Sequence, residues 1–382
     1  MATQKIRLPQ IEFDMPITDM ILELEKLRYK VLRGTTHPLV FNQIRAIFQM
    51  LESIGSSRIE GNNTTIIDYV ETTKLQSTDQ YSAHEDIREI ENIEKATGYI
   101  EDNINDIPIS MKFIRELHML VVDGLSYTKE GALHKGMFRE SNVRISGSSH
   151  TPPDYTQVEP LMQELLDFVN EETPPKYDLL KIAIAHHRFV WIHPFENGNG
   201  RVVRLFTYAL LLKYVFTSRD RIINPTAVFC SNRDDYYYYL SRADEGTDEG
   251  LISWSEYMLK GLKNEIEKID HLTDYNYLKE HILIPAIQDA YANSYISSVE
   301  CEVLKKTADI QEMQSKDLVR ILGNVGDARR SQIIKALVNK KMLLQTPYNK
   351  RKYVLYFSNS YLLRSMLVML DKDGFLPQND QP

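Results

Sequence analysis

Cysteine and tryptophan are scarce: the 382 residues include two of each. Cys230 and Cys301 lie far apart and lack the spacing of metal-ligand pairs. This argues against a disulfide framework and a zinc module, and for a reducing compartment. His186 and His187 are adjacent, but they too lack a zinc pattern. The longest apolar run, near Tyr208 to Phe216, is too short to span a bilayer, so no membrane role is expected. The opening MATQKIRLPQIEF has no apolar stretch of the signal-peptide kind, and a cytoplasmic location is the expectation. Internal repeats and low-complexity tracts are also missing, and strand signals are few. A mainly α fold follows.

An apolar content of 43% is enough for ordinary cores, and the length suits two or three domains. Periodic segments at Ile17 to Val31, Asp86 to Ile100 and Met111 to Gly124 read as helices. Tyr177 to Ile192 reads as a buried helix that Pro194 ends, because the residue before a proline is pushed out of the α region. A further apolar helix is expected over Val202 to Phe216.

Between these two helices lies HPFENGNGRVVR, His193 to Arg204. Gly198, Asn199 and Gly200 can adopt positive φ and turn their N–H groups into one concavity. The N-terminus of the second helix faces that loop and favours an anion. Arg201 and Arg204 are three apart, share a helix face, and carry the planar donor fork that suits phosphate oxygens. A histidine beside such a loop is placed to act as a general base.

This pattern resembles the signature of the Fic family, whose members transfer part of a nucleotide to a protein hydroxyl. The resemblance covers roughly Asn42 to Lys260. It implies that His193 deprotonates a Tyr, Ser or Thr hydroxyl of a protein target, which can include the chain itself. The oxygen then attacks the α-phosphate of ATP and pyrophosphate leaves. Phe195 would anchor the core. Gly198, Asn199 and Gly200 would form the phosphate loop, with Arg201 and Arg204 on the β- and γ-phosphates. The family has Asp or Glu before the first motif glycine, where it binds Mg²⁺. Here Asn197 stands there and Glu196 one residue earlier, so a metal site at Asn197 would bind more weakly.

Ser56 to Gly61, SSRIEG, resembles the family's inhibitory motif. It implies that Glu60 pairs with Arg204 in the space of the γ-phosphate, and that Ser56 bonds back to hold Glu60. A carboxylate on the phosphate-binding arginine competes for the same fork. Without the family, the same residues read as a helix end capped by Gly61. Gly136 to Pro153 is expected to form a flap hairpin, with Val143 and Ile145 on a short strand and with strand addition to the target implied by resemblance. Asn232 and Tyr237 would lie near the nucleoside, and Asp244 near the adenine. Tyr236, Tyr238 and Tyr239 are expected to pack structurally.

Towards the C-terminus, Ile296 to Lys306, Ser315 to Leu322 and Ala328 to Leu343 read as helices, and Leu344 to Phe357 as a hairpin turning at Pro347-Tyr348-Asn349. This order resembles a winged helix-turn-helix module. Residues 296–360 carry 12 Lys+Arg and 6 Asp+Glu, net +6, which leaves −14 for the rest of the chain. DNA binding is compatible with that asymmetry, but +6 is modest and such modules also serve protein contacts, which are preferred here. The expected organisation is an N-terminal helical region (1–110) with the inhibitory helix at about 42–61, a Fic core (111–270) with flap 136–153 and motif 193–204, and a winged-helix-like domain (290–382). The expected activity is an autoinhibited protein adenylyltransferase. The alternatives are a nucleotide-sensing DNA-binding regulator, and transfer of another nucleotide or phosphoryl group. Relatives often dimerise, so a homodimer is also implied.

Overall fold

The computed structural model describes residues 5–29, 34–75, 85–145, 150–216, 225, 228–229, 232–323, 325–358 and 360–376. They form two compact units. The first comprises 1–31, 52–64 and 82–266; the second comprises 32–51, 65–81 and 267–382. No helix among the described residues is long and apolar enough to cross a membrane.

In the first unit, α1 (Pro16–Tyr29) precedes the second half of α2 (Pro38–Ile59). Then come α3 (Glu85–Asn103), α4 (Met111–Val121), α5 (Val158–Asn170), α6 (Asp178–Ile192), α7 (Asn199–Leu210) and α8 (Arg233–Ala243). Most of α9 (Asp248–Asp270) also belongs here. Helix α6 packs on α5 and α7, and α4 packs on α3 and α7. Nearly every residue of α6 and α7 is buried, which is the expected fate of a helix apolar all round. Phe189, Phe206 and Trp254 fill the space between them, and the Trp254 indole N–H donates to the Ala183 carbonyl at 2.7 Å. Ser110 starts α4 by accepting a hydrogen bond from the Phe113 N–H at 3.3 Å.

The expected flap hairpin does not form a strand ladder among the described residues of 136–153; residues 146–149 lie outside them. The physical reason is the buried Arg139. Its guanidinium bonds the backbone oxygens of Ser141, Pro153 and His193, and its own N–H donates to the Pro194 carbonyl. Polar backbone groups that a ladder would have paired are satisfied by one side chain.

The second unit takes the first half of α2 and, further on, α10 (Ile284–Ala292), α11 (Ser298–Ile310), a short helical segment over Ser315–Leu318 and Val319–Leu322, and α12 (Asp327–Asn339). Strands β1 (Leu343–Thr346) and β2 (Asn349–Leu355) pair antiparallel, with Leu343 opposite Leu355, and α13 (Tyr361–Lys372) packs on α10. Met313 bridges to Tyr353 on the hairpin's other edge. Ser297 and Glu300 make a reciprocal capping box at the start of α11. Cys301 is a buried free thiol in α11, and Cys230 lies outside the described residues.

Gln43 ties α2 to the end of the hairpin. Its amide donates to the Leu355 carbonyl at 2.9 Å and accepts from the Phe357 N–H at 2.8 Å, all in buried surroundings. Gln43→Ala orphans both groups. Denaturant unfolding should show a loss of about 1–3 kcal/mol per orphaned group; a change within a few tenths of a kcal/mol would mean that water reaches them.

Candidate active site

Helix α6 ends at His193, whose φ of 50° is left-handed, and Gly198 at φ 77° precedes α7. Two sharp turns therefore bracket four residues, Pro194 to Asn197, and Pro194 lacks the N–H needed to continue the helix. Asn199 holds this loop shut: its side-chain oxygen accepts from the Phe195 N–H at 2.9 Å and its amide donates to the Phe195 carbonyl at 2.8 Å. Phe195 is fully buried and stacked on His118, ring centres 3.8 Å apart. His118 Nδ1 accepts from the Gly136 N–H at 2.8 Å, so the proton lies on Nε2, 3.2 Å from the Asn197 carbonyl. Burial pushes the His118 pKa down to about 4.

The His193 ring sits close to this turn. Burial, reinforced by the nearby Arg139, also lowers its pKa to about 4. Its Nδ1 is buried with no hydrogen-bond partner among the described residues. At neutral pH it is a neutral imidazole, the protonation state a proton acceptor needs.

Arg201 and Arg204 rise from the first turns of α7 and are almost wholly buried. Three carboxylates from separate segments surround them. Arg204 Nη2 meets Glu60 Oε1 at 2.7 Å. Arg201 Nη2 meets Glu130 Oε2 at 2.8 Å and also donates to the Glu130 carbonyl, while its Nη1 lies 3.2 Å from Glu89 Oε1. Burial alone would raise the Glu60 carboxyl; Arg204 and Arg201 outweigh it, and the pKa falls. For Glu89 and Glu130 burial wins over Arg201, and both are raised. A Cβ added at Gly200 would overlap Glu60 Oε1. Glu60 thus lies directly on the glycine loop, where an anion would approach the helix N-terminus.

Residues 108–211 match the Fic/DOC family. The chain carries a Fic domain. Over 204 residues it is 29% identical to "Protein adenylyltransferase Fic" of Drosophila willistoni, covering 53% of this chain and 38% of that protein. The protein of the same name from Nematostella vectensis is 27% identical over 253 residues, covering 64% of this chain and 55% of that one. The chain thus spans about two fifths to just over half the length of these relatives. Among solved structures, a Fic family protein from Desulfovibrio desulfuricans superposes with a TM-score of 0.54 at 20% identity, over 91% of this chain and 98% of that one. A Fic domain-containing signaling protein from Bacteroides thetaiotaomicron also gives 0.54, at 19% identity, over 66% of this chain and 97% of that one. These likenesses show a shared fold.

Within the Fic domain, His193, Gly198, Asn199, Gly200, Arg201 and Arg204 gather at one helix junction, and Glu60 joins them from α2. Ser56 is placed otherwise than expected. It does not hold Glu60; its hydroxyl accepts from Arg204 Nε at 2.8 Å and its carbonyl from Arg204 Nη2 at 2.9 Å. Being four residues earlier, it meets the same guanidinium one helical turn away. Asn197 is engaged as a donor: its amide reaches the carbonyls of Lys129 and Gly131, at 3.2 and 2.9 Å. Among the described residues no group of three or more His, Cys, Asp or Glu could hold a metal. Asn232 caps α8, accepting from the Asp234 and Asp235 N–H groups. Tyr237 is 42% exposed beneath the Arg233 guanidinium. Tyr236 is buried and its hydroxyl meets His186; Tyr239 stacks on Tyr257. Tyr238 does not pack as expected but is 57% exposed. His187 is buried and meets Asp244 Oδ1 at 2.9 Å. Sequence reasoning missed His118, Arg139, Glu89 and Glu130, each of which has at least one partner more than 50 residues away in sequence.

His118 and His193 are held well below the ordinary imidazole pKa, as is the fully buried His186. Between about pH 4 and the unfolded value near 6.5 the unfolded chain binds more protons than the folded one. Their contribution to stability is complete above about 6.5 and is lost as pH falls towards 4. The unfolding midpoint should therefore drop across that window, with proton uptake on unfolding in calorimetry; a flat profile would show that these rings titrate normally.

Proposed function

We propose that the Fic domain is an autoinhibited protein adenylyltransferase that moves AMP from ATP to a protein hydroxyl. The observation that carries this reading is the neutral His193 held in a tight turn beside a helix N-terminus that bears two buried arginines. The printed names of the relatives support it. The His193 imidazole accepts the proton of the target hydroxyl, and the freed oxygen attacks the α-phosphorus. The bond from that phosphorus to the β-phosphate's bridging oxygen breaks, and pyrophosphate leaves with the electron pair. Arg201 and Arg204 take the charge of the leaving group. A resident Mg²⁺ does not fit the residues present: Asn197 is neutral and its amide faces two carbonyls, so no step is assigned to a metal.

Both arginines are occupied by carboxylates, and ATP must displace them. Glu60 covers Arg204 and the glycine loop. Glu130 covers Arg201, and the flanking carbonyls of Lys129 and Gly131 fasten the same strap to Asn197. Two brakes from different segments therefore act on the two arginines.

The test uses purified wild type, Glu60→Gly and Glu60→Gly/His193→Ala, each with α-labelled or γ-labelled ATP. Label from the α position only, strongest in Glu60→Gly and absent in the double variant, is expected. Label from the γ position would mean phosphoryl transfer instead, and equal labelling of wild type and Glu60→Gly would remove the brake. Glu130→Ala should tighten ATP binding several-fold in calorimetry, and more so when combined with Glu60→Gly. Unchanged affinity in both backgrounds would limit the Glu130 carboxylate to a structural role. With His193 titrating near 4, the acid limb of the rate should fall well below pH 6; a limb at 6.5 would indicate an ordinary imidazole as the base.

A further inference from the structure

Some cations of the second unit are paired and others are not. Arg330 pairs with Asp327, Lys340 with Glu300 and Lys352 with Glu312. Lys316, Lys335 and Arg351 are exposed and have no ion-pair partner among the described residues. They come from three different elements: the short helix at 315, α12 and β2. The fold brings them to the rim of one groove of roughly 500 Å³, whose polar lining includes Gln314, Ser331 and Gln345 and contains no carboxylate. Asp317, the nearest acid in sequence, is turned onto its own helix cap, where it accepts from the Gln314 N–H at 2.8 Å.

Helix α12 adds a second feature. Its buried side is Ile334 and Leu337. Ala328, Gln332, Lys335 and Asn339 are exposed and spaced four, three and four apart, so they form one stripe without an acid. Arg329 and Ala336, also exposed, flank it. Amide and cationic side chains of this kind pair with base edges, and small alanines let a helix approach thymine methyls. A straight helix about 10–12 Å wide fits the major groove of B-form DNA, whereas the deep, narrow major groove of an RNA duplex excludes it. An acidic peptide would use the cations and leave Gln332 and Asn339 without a role.

We infer that the second unit binds double-stranded DNA, with α12 in the major groove and the backbone phosphates running over Lys316, Lys335 and Arg351. This function is additional to nucleotide transfer and does not depend on it. Binding without sequence selection should lie in the micromolar range at low salt and weaken steeply with added salt.

The full-length chain tests this by fluorescence anisotropy of a labelled DNA duplex between about 50 and about 200 mM salt. Wild type should bind at low salt. The triple variant Lys316→Ala/Lys335→Ala/Arg351→Ala should bind at least about tenfold more weakly, with a slope of log affinity against log salt shallower by about 2–3, one counterion per lost contact. Its thermal unfolding, read alongside, should match wild type. Gln332→Ala/Asn339→Ala should leave the salt slope intact and erase any preference among duplexes of different sequence. No binding by folded wild type at low salt, an unchanged slope in the folded triple variant, or equal binding of an RNA duplex or of polyglutamate would each overturn the proposal.

Discussion

Two buried guanidinium groups at the start of α7 set the terms for the whole first unit. Arg201 and Arg204 sit beside the positive end of their own helix, shielded from water. A buried charge is costly unless it is paired, and here the helix end adds repulsion. The chain answers with carboxylates from three separate segments: Glu60 from α2, Glu89 from α3, and Glu130 from the loop after α4. Segments remote in sequence must converge for the arginines to be tolerated, so the charge pairs and the packing of α2, α3 and α4 around α7 depend on each other.

The same arrangement gives the site its character. The positive ends of the arginines and the open N-terminus of α7 form a region suited to a polyphosphate, and the protein fills that region with its own anions. In the proposed reading, phosphate oxygens would compete with these carboxylates for the same donors. Around this centre buried side chains fix the turn. His118, stacked on Phe195, fixes the turn through a defined tautomer, and Arg139 ties the turn to the stretch that was expected to be a hairpin. Glu89 and Glu130 are held by burial above the usual carboxylate range even though Arg201 faces both.

Local information was enough for the elements with strong periodicity or firm punctuation. Helices α1, α3, α4, α6 and α7 and the C-terminal order of helices and hairpin could be read from apolar spacing, Pro194 and the turn at Pro347. Sequence reasoning missed the long α9, the α5 helix and α13, although each carries apolar residues at helical spacing. Flap residues Val143 and Ile145 show the opposite error. Their alternation satisfies the strand pattern, but the buried Arg139, anchored on His193 54 residues away, claimed the Ser141 and Pro153 carbonyls nearby.

By itself, the sequence determined the helix ended by Pro194, the turn at Gly198, the helix that follows, and the presence of two arginines on one face, because bond geometry and helical period act over a few residues; the left-handed His193 and the helical conformation of Asn199 and Gly200, which had been expected at positive φ, it did not. It also placed a carboxylate at Glu60, through the short motif that ends α2. Only the tertiary structure decided which donors and acceptors meet: that Ser56 holds Arg204 and not Glu60, that Asn197 donates to the strap at 129–131, and that Glu130 closes on Arg201. Those choices depend on desolvation, which forces every buried polar group to find a partner, and the partner is whatever the packed helices bring within about 3 Å.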